Sequence, residues 1–161
     1  MSSNLRIGLG FDLHALVKGR PCILGGVLFE HDHGPQGHSD ADAVLHAVTD
    51  AILGAAGLED LGSLFPDTDE RFRGADSGDL LGQALKLVHA EGFQIVNLDV
   101  VIATEGPRIA PMRQRMRASI GGLLGIDAGR VNVKGKTLEG MGALAGGTGV
   151  AVQALALLEG S

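Results

Sequence analysis

The sequence predicts an α+β fold of two layers, a mixed β-sheet with helices on one face. Two observations predict it. Apolar stretches of strand period interleave with stretches of helical period in the order β-β-α-α-β-α-β-β, and helices spaced that way cover one sheet face and leave the other wanting a partner chain. The length of 161 residues suits one domain, expected over 1–161. With 45% hydrophobic and 20% charged residues, the chain can bury enough apolar surface to offset the entropy of ordering.

Leu5 to Leu13 is apolar and loosely alternating, and Gly8 and Gly10 permit close backbone approach, so it reads as the first strand. Lys18, Gly19, Arg20 and Pro21 supply a turn, which makes Cys22 to Phe29 the expected hairpin partner. Glu30 to Gly37 reads as a polar loop leading to a helix capped by Ser39 or Asp40. Val44, Leu45, Val48 and Ile52 form the buried stripe of that helix, and Gly57 stops it in a left-handed conformation. Asp42, His46 and Asp50 form the opposite, polar stripe. A second helix follows Ser77, burying Leu81, Ala84, Leu85 and Val88 and ending at Gly92; Ile95 to Thr104 reads as a strand. Pro111 suits a helical first turn, and Met112, Met116, Ile120 and Leu123 carry the apolar stripe on to Gly125. Strands at Val131 to Thr137 and Thr148 to Leu158 close the chain.

Composition excludes several classes. A net charge of -6 repels a phosphate backbone, so nucleic acid is a poor general partner, although local anion sites remain open. Cys22 is the only cysteine, which excludes an internal disulfide and a cysteine-based zinc cluster. Met1 to Asn4 lack the pattern of a secretory leader and no apolar run reaches membrane-spanning length, so no membrane association and a cytoplasmic location are expected.

The chemistry-bearing residues cluster in four places. In Gly10-Phe11-Asp12-Leu13-His14, a spacing of two on an extended strand points carboxylate and imidazole to the same side. With His46 from the first helix they offer one oxygen and two nitrogens, a donor set that suits zinc and leaves a fourth position open. The competing reading makes Asp12 a turn cap and the two histidines satisfied polar residues. His38-Ser39-Asp40-Ala41-Asp42 gathers polar groups at a helix N-terminus, where phosphate binds readily. Asp60 to Asp69 mixes carboxylates with rigid turn residues and reads as a surface loop or as a substrate wall. Lys134 to Gly140 supplies Lys136, Thr137 and Glu139, equipment for a diphosphate and a cation. Its Gly-Lys-Thr is not a P-loop, because Arg130 stands where the first glycine is required. His31, Asp32 and His33 could take up metal adventitiously but read as a solvated loop, as does His89 on its helix.

These motifs, in this order, resemble the 2-C-methyl-D-erythritol 2,4-cyclodiphosphate synthase family of non-mevalonate isoprenoid biosynthesis over almost the whole chain. The marks are Arg6-Ile7-Gly8-x-Gly10-Phe11-Asp12-x-His14, His38-Ser39-Asp40-x-Asp42-x3-His46-x2-Thr49-Asp50, Leu64-Phe65-Pro66-Asp67-Thr68-Asp69 and Val131-Asn132-Val133-Lys134-x-Lys136-Thr137-x-Glu139-Gly140. The resemblance implies a homotrimer with active sites between neighbouring subunits. It implies zinc, or another divalent metal, on Asp12, His14 and His46, and magnesium or manganese near Glu139. Asp12, His14, His38 and Ser39 would meet the substrate's phosphate end, and Asp60, Gly62, Phe65, Asp67 and Asp69 would line the sugar-alcohol pocket. Ala103, Pro107 and Arg108, with Lys136, Thr137 and Glu139, would hold the cytidine diphosphate, and His38, Thr137 and Glu139 would act in catalysis.

The reaction so implied drives the substrate's 2-phosphate onto its own β-phosphorus and expels CMP. Two anions must approach, so charge neutralisation and orientation are the main tasks and no protein nucleophile is needed. The chain departs from many relatives at Gly146, where an arginine often stands, and at Met112, in place of a histidine. Weak or absent binding of polyprenyl diphosphates in a central trimer cavity is expected from the first departure. A metal-dependent phosphohydrolase and a non-catalytic trimeric binding module are the rival readings.

Overall fold

The computed structural model describes residues 4–160; Met1 to Ser3 and Ser161, the ends of the expected domain, lie outside the described residues. Seven strands and four α-helices follow in the order β1 (Asn4–Lys18), β2 (Cys22–Leu24), β3 (Val27–Phe29), β4 (His33–Pro35), α1 (Ala43–Ala56), α2 (Leu61–Leu64), α3 (Ser77–Ala90), β5 (Phe93–Thr104), α4 (Arg113–Leu124), β6 (Val131–Lys136) and β7 (Gly149–Gly160). Five strands form one sheet in the order β4-β1-β7-β5-β6, antiparallel except for the β5–β6 pair. The sheet is therefore mixed, as the interleaved pattern predicts.

Several expectations need correction: Glu30 to Gly37, read as a polar loop, contains β4, and Asp60 to Asp69, read as a surface loop or substrate wall, contains the short α2. Cys22 to Phe29 is not the hairpin partner of the first strand: β2 and β3 pair with each other around Gly25 and Gly26, both in the left-handed region. The partners of β1 are β7 along most of its length and the short β4 at its end. Two consecutive glycines able to take positive φ make the tighter local hairpin available.

Strand period sorts β1 into two faces. Gly8, Gly10, Asp12, His14 and Leu16 face the helical layer, while Leu5, Ile7, Leu9, Phe11 and Leu13 face outward and are exposed, Ile7 by 76%. Side chains at Gly8 and Gly10 would run into the Ala51 and Ala47 carbonyl oxygens of α1, so glycine there lets the helix lie directly on the strand. Val44, Leu45, Val48, Ile52 and Leu53 of α1 are buried, each contributing up to about 1.5–3 kcal/mol. The cap of α1 is Asp42 rather than Ser39 or Asp40, and Gly57 ends the helix at φ 77°. In α3 the buried side chains include Leu81, Ala84 and Val88, with Asp76 as cap. Pro111 lies in a short 3-10 turn before α4, in which Leu124 is buried where Leu123 is expected to be.

Candidate functional site

Asp12 and His14 on β1 and His46 on α1 converge where the strand meets the helix. Asp12 Oδ2 lies 2.9 Å from His14 Nε2 and 3.1 Å from His46 Nδ1, and the two ring nitrogens lie 3.4 Å apart. The other nitrogen of each ring fixes which of them is free of its proton. His14 Nδ1 donates to the Gln36 carbonyl at 2.7 Å, leaving Nε2 with its lone pair toward the site. The Ser77 hydroxyl is committed as donor to Asp40 Oδ1, so at 2.9 Å it accepts from His46 Nε2, which leaves His46 Nδ1 with its lone pair inward. A carboxylate oxygen and two imidazole lone pairs then point at one another, an arrangement that repels itself unless a cation stands between them. These three are a donor group whose ligand atoms all lie within 4.8 Å of one another, consistent with a divalent metal.

The electrostatics agree. Burial works to raise the Asp12 carboxyl, but the His14 and His46 rings, by hydrogen bonding and charge whenever the nitrogens facing it carry protons, outweigh it and hold the group well below the usual carboxylate range. Burial works to lower His14, and Asp12 beside it more than compensates, so the imidazole is raised.

A cavity of about 390 Å³ opens beside the triad, lined by His14, His38, Ser39, His46, Gly62, Phe65 and Asp67 among others. His38, Ser39, Gly62, Phe65 and Asp67 thus line the same cavity as His14 and His46. Asp60 and Asp69 do not line it. Asp60 caps α2 through Ser63 N at 2.8 Å, and Asp69 caps a 3-10 turn while pairing with Arg71 at 2.6 Å, so both shape the wall. A second cavity, of about 410 Å³, is lined by Thr104, Pro107, Arg108, Lys136 and Thr137 among others and shares no lining residue with the first. Ala103 sits opposite Lys136 in the β5–β6 register. Glu139, at φ 52°, accepts from the Thr137 hydroxyl at 2.7 Å.

Several residues beyond the predicted ones organise the site. Asp42 accepts from the backbone N–H groups of Gly25, Gly26, Val44 and Leu45 at 2.6–3.1 Å, tying the β2–β3 turn to the start of α1. Burial pushes its carboxyl up to about 6 against the pull of those N–H groups. Asp50 accepts from Leu61 N at 2.7 Å and so places α2 against α1. Asp40 and Ser77 set the His46 tautomer. Glu105 accepts from Leu138 N and Gly140 N at 3.2 and 3.1 Å, holding the Glu139 turn against the second cavity. The clustering of carboxylates at residues 40, 42 and 50 is a sequence signal for the first three; nothing local marks Glu105, whose partners lie 33 and 35 residues away.

The profile of the YgbB family matches residues 5–159. A 2-C-methyl-D-erythritol 2,4-cyclodiphosphate synthase of Bordetella avium is 54% identical over 158 residues, 98% of each chain. Among solved structures, a 2C-methyl-D-erythritol-2,4-cyclodiphosphate synthase in its CDP-bound form superposes with a TM-score of 0.87 at 40% identity, over 95% of this chain and 99% of that one. The bifunctional IspDF of Campylobacter jejuni superposes with a TM-score of 0.95 at 39% identity over 99% of this chain, which spans 43% of that longer protein.

Proposed function

Since the chain belongs to the YgbB family of 2-C-methyl-D-erythritol 2,4-cyclodiphosphate synthases, we infer that it is the enzyme converting 4-diphosphocytidyl-2-C-methyl-D-erythritol 2-phosphate to the 2,4-cyclodiphosphate and CMP. This is a lyase step of non-mevalonate isoprenoid biosynthesis. The observation that supports the reading best is the meeting of three lone-pair donors, from Asp12, His14 and His46, at the mouth of a cavity large enough for a phosphorylated sugar-alcohol. That donor set suits zinc, and Glu139 with Thr137 suits magnesium or manganese. Held by these residues, the two cations would supply charge neutralisation for the facing phosphates and for the departing CMP.

The protein's own groups do the rest by binding and orienting. His38 and Ser39, on the cavity wall beside the triad, steer the 2-phosphate. Gly62, Phe65 and Asp67 enclose the carbon chain and exclude water that would divert the reaction to hydrolysis, while Asp60 and Asp69 brace that wall. Arg108 and Lys136 offset the diphosphate charge, and Ala103, Pro107 and Thr137 flank the nucleotide. Holding both ends of one molecule makes the displacement intramolecular, an advantage on the order of 7 kcal/mol or more in favourable cases.

The two cavities are separate within one chain, which favours a site completed between neighbouring subunits of a homotrimer closed over the outward apolar face of β1. No helix among the described residues is long and apolar enough to cross a membrane, and a cytoplasmic location goes with a substrate and product of this kind. Incubation with the cytidylyl substrate and magnesium, followed by phosphorus NMR, should show a cyclic diphosphate and CMP, lost on chelation. His46→Ala should abolish metal-dependent CMP release, and Glu139→Gln should mainly raise the magnesium requirement. An acyclic phosphate as the main product would overturn the reading in favour of a metal hydrolase.

A further inference from the structure

A second group of metal-ligating side chains lies outside the site just described. His31, Asp32 and His33 each offer one ligand atom, all within 4.8 Å of one another. Their donor set repeats that of the first triad, one carboxylate and two imidazoles, and so does the ring geometry. The His31 and His33 centroids are 6.0 Å apart with planes at 56°, against 5.5 Å and 54° for His14 and His46. Asp32 Oδ1 lies 2.7 Å from His33 Nδ1, and His31 Nδ1 lies 2.8 Å from the His33 carbonyl, which fixes that ring. The backbone beneath is anchored: Gly19 N donates to the Asp32 carbonyl at 2.9 Å, and His33 pairs with Lys18 at the edge of the sheet. The His31 ring also lies against Gly106, in the segment that follows β5 and borders the second cavity, where an added Cβ would stand 3.1 Å from Nε2.

We propose that His31, Asp32 and His33 form a second binding site for a borderline divalent transition ion such as zinc or cobalt, independent of the catalytic triad and bracing the loop around Gly106. Imidazole donors select this class over magnesium. The site is the weaker of the two. Asp32 is exposed, neither ring has a buried hydroxyl–carboxylate pair behind it like Ser77 and Asp40, and His31 shares a third cavity, of about 700 Å³, with Glu30, Arg108 and Arg115, whose two guanidinium charges oppose a cation there.

The test is calorimetric titration of the chelator-treated full chain with cobalt, read together with the visible cobalt absorption. In saturating magnesium, which fills the Glu139 site, wild type should bind two cobalt ions per chain, the second about ten- to a hundredfold more weakly. His31→Ala/His33→Ala should lose the weaker class alone, its retained tight class showing that the chain is folded and CMP release staying unchanged at saturating magnesium. His46→Ala should lose the tight class alone, and wild type with zinc already in the first site gives the same comparison without that substitution. A weaker class that survives His31→Ala/His33→Ala, or a wild type that binds one ion only, would overturn the proposal.

Discussion

Ser77 shows how much one hydroxyl decides. It hands its proton to Asp40 and takes one from His46 Nε2, so its removal frees His46 to adopt the tautomer that points a proton into the site. Ser77→Ala should therefore weaken zinc binding about ten- to a hundredfold, read by chelator competition, with the fold retained and Ser77→Thr restoring part of the loss. Asp42 has a different signature. Its carboxyl titrates near 6 in the folded chain against an ordinary 3.8, so the folded state binds the proton more tightly. The stability this adds is fully present below about pH 3.8 and is lost as the pH rises through about 6. In urea unfolding of wild type and Asp42→Asn, wild type should gain relative to the variant on going from neutral pH to about pH 4.5; a gap that narrows would contradict the assignment. The sequence displayed Asp12 and His14 because an i, i+2 pair on a strand is a local pattern, and His46 joined them through the polar stripe of its helix and the family resemblance. It hid Ser77 and Glu105, whose partners are brought near only by tertiary packing 31 to 37 residues away.

At the scale of elements, the joint between β1 and α1 determines whether a site exists at all. Gly10 of β1 faces the carbonyl of Ala47, the residue next to His46 on α1, and stands two residues before Asp12. Gly10→Ala should force the helix off the strand and pull His46 away from Asp12 and His14. The expected result is a loss of metal affinity larger than the loss of thermal stability, measured by cobalt titration and calorimetric melting on the same sample. The three longer helices were readable from apolar periodicity, and Gly57 marked the end of α1 as expected, whereas the four-residue α2 is too short to carry a helical stripe. Strand partnership was not. Cys22 to Phe29 has the composition of a β1 partner, yet Gly25 and Gly26 fold it on itself, and the choice between one long hairpin and one short one depends on β7, more than a hundred residues downstream. The cap moved from Ser39 or Asp40 to Asp42 because only Asp42 reaches the helix and the hairpin turn together.

For the molecule as a whole, the outward face of β1 makes the sharpest prediction. Leu5, Ile7, Leu9, Phe11 and Leu13 form a continuous exposed apolar row, larger than isolated surface hydrophobes and of the kind that marks an interface. If the proposed homotrimer closes over this row, Ile7→Glu should shift the mass in light scattering from three chains toward one and remove CMP release while leaving the Asp12–His14–His46 triad, on the opposite face of the strand, able to bind cobalt. The sheet and its open face could be inferred from the alternation in β1, whereas the separation of the candidate site into two cavities could not, because it depends on where β5 and β6 end relative to α1. The triad draws its donors from a strand near the start of the chain and from a helix some thirty residues later, so an ion seated there would act as a clasp between them. Its occupancy would be written into the melting temperature, about 4 kcal/mol of added stability at a thousandfold excess over the dissociation constant. A simple heating curve, run with and without chelator, would then rank candidate ions and inhibitors without any substrate in the tube.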